Sequence, residues 1–261
     1  MNIILHADDF GFDVDTCKAT IECFEKGVLT SASIMVNGES SAMAIDYARK
    51  HPEFSFGVHL TFVDSFRPIS DPRDIPSLVN NENLFFDSNY VRKKALLLHM
   101  NPKQIVREIL AQMKVLLDAG IKISHLDSHG HLHKFPSFLL ALTELKKYNY
   151  PKLKIRGVQN VFIHPTTLTL SKVLNRTFRF YISHNFVSTD FFYMPANSFD
   201  VAWSNSLLEK LNYSKYRNRT IEIGVHPGFQ EVWRANELHD IKTFSSLVEQ
   251  TSHKLINWNQ I

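Results

Sequence analysis

Carboxylate and imidazole side chains recur in this sequence at the points where short apolar runs end. Asp8 and Asp9 directly follow the first such run, His59 lies within a later one, and His226 ends the last one. An aspartate combined with two histidines suits Zn²⁺, Mn²⁺, Fe²⁺ or Mg²⁺ and leaves positions open for water. A metal activates water and polarises a substrate oxygen, while a second carboxylate accepts a proton and a further histidine donates one. These residue types therefore indicate metal-assisted hydrolysis.

The most specific group is the stretch DSHGHLH at residues 127–133. Asp127 opens it, and His129, His131 and His133 alternate behind it. This arrangement is typical of a metal site, but a polar surface strand would show the same alternation. The spacing alone leaves both interpretations open.

The other motifs each have a simpler structural explanation. Two adjacent aspartates after a strand commonly form a turn or cap a helix, and a single histidine within a strand is usually a hydrogen-bonded core residue. His226, which stands before Pro227 and Gly228, is a weak signal by itself. The combination is more informative, because the carboxyl ends of parallel strands meet at one face of an α/β fold.

Apolar runs and helical patterns alternate along the chain, and residues 162–197 fit neither pattern. We predict strands over residues 2–7, 29–36, 55–62, 122–127, 153–158 and 219–226, and helices over 13–26, 39–50, 102–119, 135–147, 198–211 and 239–256. Such alternation indicates βαβ units around a parallel sheet. An α/β fold with a single, irregular (β/α) barrel of about seven strands fits better than a doubly wound sheet, because no glycine-rich phosphate loop follows the first strand.

The chain is predicted to form one domain over residues 1–261, with a long insertion at about residues 63–100. The insertion contains Pro68, Pro72 and Pro76 and has no regular pattern. A connection of this length in a compact domain is typical of a functional loop.

Composition limits the classes of function. The 261 residues are 44% hydrophobic and 21% charged and carry a formal net charge of +3, which excludes general disorder. Two cysteines exclude a disulfide framework, and the first residues do not resemble a signal peptide. No apolar run is long enough to cross a bilayer, and no basic stripe is interleaved with aromatics. We therefore expect a cytoplasmic protein that does not bind nucleic acid.

Five motifs, in order along the chain, resemble the YdjC-like carbohydrate deacetylase family. They are ADDFG at residues 7–11, the stretch 30–37, GVHL at 57–60, HLDSHGHLH at 125–133 and HPG at 226–228. Known activities of this family include deacetylation of chitooligosaccharides. The resemblance implies a (β/α) barrel related to those of the polysaccharide deacetylases.

The resemblance also implies roles for individual residues. One divalent cation, Mg²⁺ or Zn²⁺, is expected to bind to Asp9, His59 and His129. Asp8 is expected to act as the general base, and His226 as the acid that protonates the departing amine.

Four further residues are expected near this centre. Arg156 is expected to keep Asp8 ionised, since an opposite charge nearby favours the carboxylate; the alternative is a solvated cation at the end of a strand. Asp127, His131 and His133 are expected to support the ligands or contact the substrate, with helix capping as the alternative for His133.

The expected reaction is hydrolysis of the N-acetyl group of an acetylated sugar, either an oligosaccharide or a lipid-linked amino sugar. Two alternatives stay open: a metal-dependent phosphoesterase on a related barrel, and a non-enzymatic protein that binds a metal or a sugar. Two bridged metals would indicate a phosphoesterase, whereas the second carboxylate, Asp8, argues against a purely binding role.

A lipid-linked substrate would bring the protein to the inner face of a membrane. The stretch LFF at residues 84–86 and the aromatics within 178–192 could contact such a surface, together with the basic residues 92–94, Arg176 and Arg179. The alternative is that these aromatics pack beneath long loops or at the interface of a homodimer.

Overall fold

The computed structural model describes residues 1–148, 150, 153–164, 170–195 and 202–261. Its strands are β1 Asn2–Phe10, β2 Ser31–Ile34, β3 Ser55–Leu60, β4 Ile123–Ser128, β5 Phe191–Tyr193, β6 Thr220–Val225 and β7 Lys254–Leu255. Six of them form a curled parallel sheet in the order β4-β3-β2-β1-β6-β5, and the two-residue strand β7 also pairs with β1. The sheet is therefore a half-barrel with β1 near its middle.

The strands are covered on both faces, which explains their composition. In β1 every residue after Asn2 is buried, and the same holds for all of β2 and β3. Parallel strands covered on both faces are usually near-continuous apolar runs. The buried polar residues at the end of β1, Asp8 and Asp9, therefore need partners for their charges, because unpaired buried charge is costly.

Eight helices surround the sheet in the described part of the chain. They are α1 Val14–Glu25, α2 Ser41–Lys50, α3 Ser88–Leu96, α4 Pro102–Asp118, α5 Pro136–Glu144, α6 Leu170–Asn185, α7 Trp203–Leu211 and α8 Val232–Glu249. α1 begins with a capping box, in which Asp13 and Thr16 satisfy each other's backbone N–H groups. None of these helices is both long and apolar enough to cross a membrane.

The closed seven-stranded barrel predicted from the sequence is wrong. Residues 153–158, predicted as the fifth strand, form only isolated bridges, from Ile155 to Leu126 of β4 and from Lys154 to Val187. After these bridges the chain is not in a strand ladder. The N–H groups of Asn160 and Val161 instead both donate to the carbonyl of Phe192 in β5. Within the described ranges no strand ladder joins β4 to β5, so the sheet is an open half-barrel.

Several helix predictions also need correction. α3 lies inside the insertion, and α6 and β5 lie in the stretch 162–197, where the sequence shows no regular pattern. The last helix is α8, which begins and ends earlier than the predicted range of 239–256. Its first two turns lack the usual hydrophobic pattern, because Val232 is exposed while Arg234 and Glu237 are buried. The helix predicted over 198–211 corresponds to α7, and residues 198–201 lie outside the described part of the chain.

All but one of the eight aromatic residues considered for a membrane surface are buried or half-buried. Phe85 packs against Phe62 in the core, and Phe178 and Phe192 are also buried. Phe180 is the exception, with 71% of its surface exposed. The packing of the other three agrees with the alternative that these aromatics lie beneath long connections.

Gly11 shapes the turn that presents the two aspartates. Its φ of +109° is accessible to glycine and rarely to other residues, and a Cβ there would lie 2.8 Å from the carbonyl oxygen of Met35. Asp9 itself has a φ of 58°. The end of β1 therefore turns sharply against the segment after β2, which directs Asp9 towards the carboxyl edge of the sheet.

We expect Gly11→Ala to lower the free energy of unfolding by about 3 kcal/mol or more. Backbone strain contributes roughly 1–3 kcal/mol and overpacking a similar amount. Gly27→Ala is the matched control, because Gly27 also has a positive φ but no atom would lie within 4 Å of a Cβ at that position. Urea denaturation of both variants measures the difference, and equal losses would contradict the role of the Met35 contact.

Candidate active site

Asp9, His59 and His129 converge at the carboxyl edge of the sheet. Asp9 lies near the end of β1, His59 in β3, and His129 directly after β4. The Oδ1 atom of Asp9 lies 3.3 Å from Nε2 of His59 and 3.0 Å from Nδ1 of His129. One candidate ligand atom from each residue lies within 4.8 Å of the other two. The structure thus brings the three predicted metal ligands together.

Hydrogen bonds behind His59 decide which of its nitrogens faces Asp9. Its Nδ1 lies 3.0 Å from Oδ1 of Asp127 and 3.0 Å from Oγ of Ser33. Because an ionised carboxylate only accepts hydrogen bonds, Nδ1 carries a proton, and Nε2 faces Asp9 as the nitrogen that a metal ion would bind in place of a second proton. A carboxylate behind the imidazole is the usual support of a histidine metal ligand. Asp127 stands where such a support is needed.

The donor set and its field both fit a divalent cation. Burial alone would lower the pKa of His59, but the nearby carboxylates of Asp127, Asp9 and Asp8 raise it to about 10. The same negative field favours a metal ion in place of the imidazole proton. Two imidazoles with one carboxylate suit Zn²⁺ and similar transition metals better than Mg²⁺, which prefers oxygen ligands.

Asp8 is bound by Arg156, next to the three converging residues. Nη2 of Arg156 donates to Oδ1 of Asp8 at 2.6 Å, and Nη1 donates to Oδ2 at 2.7 Å. Burial would raise the pKa of Asp8, but the Arg156 guanidinium outweighs it and lowers the pKa to about 2. Arg156 is fully buried, so the alternative of a solvated cation is wrong.

Arg156 also pairs with two further buried carboxylates. Its Nη1 lies 2.8 Å from Oδ2 of Asp127, and its Nε donates to Oε1 of Glu222 at 2.9 Å. Burial and Arg156 act in opposite directions on the pKa of each carboxyl group. The guanidinium prevails at Asp127, where the pKa lies well below its usual value, and burial prevails at Glu222, where it is raised. One guanidinium thus joins residues of β1, β4 and β6.

His226 lies on the other side of Asp8 and is held by Glu237 of α8. Its Nε2 is 3.8 Å from Oδ2 of Asp8, and its Nδ1 is 3.3 Å from Oε2 of Glu237. The same glutamate oxygen accepts the backbone N–H of His226 at 2.7 Å. Burial would lower the pKa of His226, but the Glu237 carboxylate outweighs it and raises the pKa. His226 is therefore suited to hold a proton beside the site.

The histidines that follow His129 do not continue as a surface strand. Residues 129–134 form a 3-10 turn in which Gly130 and His131 have left-handed conformations. Nε2 of His131 lies 3.3 Å from Sδ of Met194, and Nδ1 of His133 lies 2.8 Å from Oγ of Ser128. Burial lowers the pKa of His131 well below its usual value and that of His133 to about 3. Both are neutral and lie beside the three converging residues rather than among them.

Four residues of this site were missed from the sequence: Ser33, Glu222, Arg234 and Glu237. Glu222 carries the clearest signal, because it is the one charged residue within the apolar strand TIEIGV. Arg234 donates to Oδ2 of Asp9 at 2.8 Å from the first turn of α8. The sequence predicts the last helix to begin only at residue 239, so no local pattern indicates that Arg234 lies on a helix beside Asp9.

The fold and the site together define an α/β protein with a candidate metal centre flanked by an ionised carboxylate and a protonatable histidine. The family described as YdjC-like protein matches residues 2–254, and the chain belongs to this family. The resemblance seen in the sequence motifs is thereby confirmed.

Two relatives and one solved structure show what the chain is similar to. A protein of Brevibacillus brevis named carbohydrate deacetylase is 36% identical over 152 residues, which is 58% of each chain. A Vibrio parahaemolyticus protein of the same name is 26% identical over 88% of this chain and 80% of its own length. A crystal structure from Enterococcus faecalis V583, for which cellobiose-phosphate cleavage is proposed, has a TM-score of 0.78 at 21% identity and covers 99% of this chain and 98% of its own. This last similarity shows the fold.

We expect Arg156→Met to destabilise the protein strongly, because it leaves Asp8 and Asp127 buried without a counter-charge. Breaking a buried ion pair in this way typically costs about 3–5 kcal/mol. Asp8 has a lowered pKa in the folded state, so its pairing contributes stability above its unfolded pKa of 3.8, and this is lost as the pH falls towards about 2. The cost of the substitution should therefore shrink below pH 4.

Urea denaturation between pH 3 and pH 7 measures this dependence. Arg219→Met is the matched control, since Arg219 pairs with Asp190 at the exposed surface and its loss should change stability little. A cost for Arg156→Met that is small at pH 7, or constant over this range, would show that Arg156 does not compensate these buried charges.

Proposed function

We propose that the protein is a metal-dependent hydrolase that removes the N-acetyl group from an acetylated sugar. One observation carries the proposal: Asp8 and His226 lie 3.8 Å apart, directly beside the convergent Asp9, His59 and His129. The names of the relatives supply the substrate class, since the Brevibacillus and Vibrio proteins are both named carbohydrate deacetylases. A divalent cation held by the three residues would supply Lewis-acid polarisation of the acetyl carbonyl oxygen and of water.

Asp8 is the proposed general base. Arg156 keeps it ionised throughout the working pH range, because the pKa of Asp8 is about 2. A carboxylate offers about four lone-pair positions, so its two bonds to Arg156 leave room to orient a water molecule and to accept its proton. The low pKa limits basicity, and the role therefore depends on a water whose own acidity has been raised.

His226 is the proposed general acid. Loss of the acetyl group breaks the bond between the carbonyl carbon and the sugar nitrogen, and that nitrogen must gain a proton to leave as an amine. With Nδ1 of His226 facing Glu237, the proton on Nε2 lies on the side of the ring that faces Asp8. Glu237 thus keeps the imidazole charged and directs the donating nitrogen.

Two alternatives are less well supported. A phosphoesterase with two bridged metals needs a second cation site. The carboxylates of the two other candidate groups in the described part of the chain, Asp8 and Asp127 in one and Glu222 in the other, already pair with the guanidinium of Arg156. A protein that only binds a metal or a sugar does not need a base and an acid, such as the ionised Asp8 and the protonated His226, next to each other.

The donor set leads us to propose Zn²⁺ or a similar transition metal rather than Mg²⁺. Because all but one of the aromatics considered for a membrane surface are buried or half-buried, we favour an oligosaccharide over a lipid-linked sugar as the substrate. The cytoplasmic location and the homodimer stay predictions.

The roles of the adjacent aspartates can be separated by substitution. Asp8→Asn should keep the metal but lower turnover by roughly 10²–10⁴-fold, because general-base assistance is worth about that much. Asp9→Asn and His59→Ala should instead lose metal. Amine release from a panel of N-acetylated oligosaccharides, with metal content measured on the same samples, gives both quantities. Asp118→Asn serves as control, since Asp118 is exposed and pairs with Lys114.

Two results would overturn this proposal. Full turnover of Asp8→Asn at saturating metal would assign the base to another group. Amine release by a chelator-treated sample that contains no metal would remove the metal from the reaction.

The pH dependence of turnover tests the acid. The groups that face His226 are Glu237 and Trp233 from α8 and Asp8 from β1, with Asp9 acting at longer range. Since the pKa of His226 is raised, its proton persists above the ordinary value of 6.5, and turnover should fall only as the pH rises through the raised pKa. Glu237→Gln removes the main cause and should move this fall to lower pH by about one unit.

Turnover of both proteins should be compared from pH 5 to pH 10. Glu249→Gln is the matched control, because Glu249 lies at the exposed far end of the same helix. If the alkaline fall stays in place in Glu237→Gln, a group other than His226 determines it.

A further inference from the structure

We propose that Arg234 is a positioning residue that fixes Asp9 so that only its Oδ1 atom faces the two histidines. This role rests on the proposed metal site and goes beyond the roles discussed above. It predicts that Asp9 is a monodentate ligand and that the protein needs Arg234 to bind its metal tightly.

The two oxygens of Asp9 are divided between different partners. Oδ1 lies within 3.3 Å of a nitrogen of both His59 and His129. Oδ2 accepts a hydrogen bond of 2.8 Å from Nη2 of Arg234. A carboxylate whose second oxygen is held in this way cannot turn to chelate a cation with both oxygens without breaking a charge-assisted hydrogen bond.

Arg234 is itself fixed from several sides. It is buried, its Nε donates to Glu231 at 2.8 Å, and its Cζ lies 4.3 Å from the centre of the Trp233 ring. The ring of Phe12 lies on the guanidinium as well, at 5.7 Å. Such stacking suits a planar guanidinium and limits its rotation.

The HPG motif contributes to this arrangement through Gly228. A Cβ at Gly228 would lie 2.8 Å from Cδ and 2.9 Å from Cβ of Arg234. These atoms belong to the stem of the side chain, which cannot move without displacing the guanidinium. The absence of a side chain at residue 228 therefore lets the loop after β6 pack directly on Arg234.

Metal affinity distinguishes positioning from simple electrostatics. The pKa of Arg234 is raised, so it is a permanent cation near a site for another cation. If its charge alone mattered, removing it would relieve repulsion and tighten metal binding. If it positions Asp9, removing it should weaken binding, and loss of such supporting contacts typically costs about 10–100-fold in affinity.

The experiment measures Co²⁺ and Zn²⁺ affinity of the full chain by competition with a chromophoric chelator. Arg234→Met should bind both ions about 10–100-fold more weakly than the unsubstituted protein. Arg234→Lys keeps the charge and one donor and should recover part of the loss. Gly228→Ala changes no charge but should also weaken binding, because it displaces the stem of Arg234.

Arg219→Met is the matched control and should leave the affinity unchanged, since it removes an arginine that pairs with Asp190 at the exposed surface and not with Asp9. Thermal melting without metal shows whether each variant is folded. If Arg234→Met does not fold, the lysine and alanine variants decide the question.

The positioning role is excluded if folded Arg234→Met, or both of the other variants, bind metal as tightly as the unsubstituted protein or more tightly. Absence of metal binding by the unsubstituted protein is a different result, which would overturn the proposed metal site itself.

Discussion

The guanidinium of Arg156 is the cation that compensates the buried carboxylates of the site. It lies fully buried among the carboxylates of Asp8, Asp127 and Glu222, which come from three different strands. Carboxylates in such a place would take up protons if no cation compensated for the loss of water. Because Arg156 compensates, Asp8 and Asp127 stay ionised, and each can act on the histidine beside it.

Two chains of contacts lead outward from this cation. Asp127 accepts a hydrogen bond from Nδ1 of His59, which leaves Nε2 facing the proposed metal site. Asp8 faces His226, whose charge is maintained by Glu237. The same buried ion group thus supports the proposed metal ligand on one side and the proposed base and acid on the other.

α8 closes the site from outside the sheet. Arg234 and Glu237 are three residues apart and therefore lie on the same face of the helix. One holds Asp9 and the other holds His226, so this face contacts both the proposed metal centre and the proposed acid. A shift of the first two turns of α8 would disturb both contacts at once. The helix therefore couples the proposed metal centre to the proposed acid.

The sequence by itself determined the parallel α/β character, most strand positions and the family. These follow from local signals, since a buried strand must be apolar along its length and a motif such as ADDFG or HPG is contiguous. It also placed Asp9, His59 and His129 at strand ends. It failed for the barrel closure and for the start of α8, because isolated bridges and helical turns with buried polar residues leave no regular hydrophobic period.

Only the tertiary structure decided how these residues act on one another. Arg156 and Asp8 are 148 positions apart, and Arg234 and Asp9 are 225 apart. The nitrogen that His59 presents, the division of the Asp9 oxygens and the protonation of His226 all depend on such partners. Hydrogen bonds and close charge pairs act over a few ångströms in space, and the distance between two residues along the chain does not show whether they make such a contact.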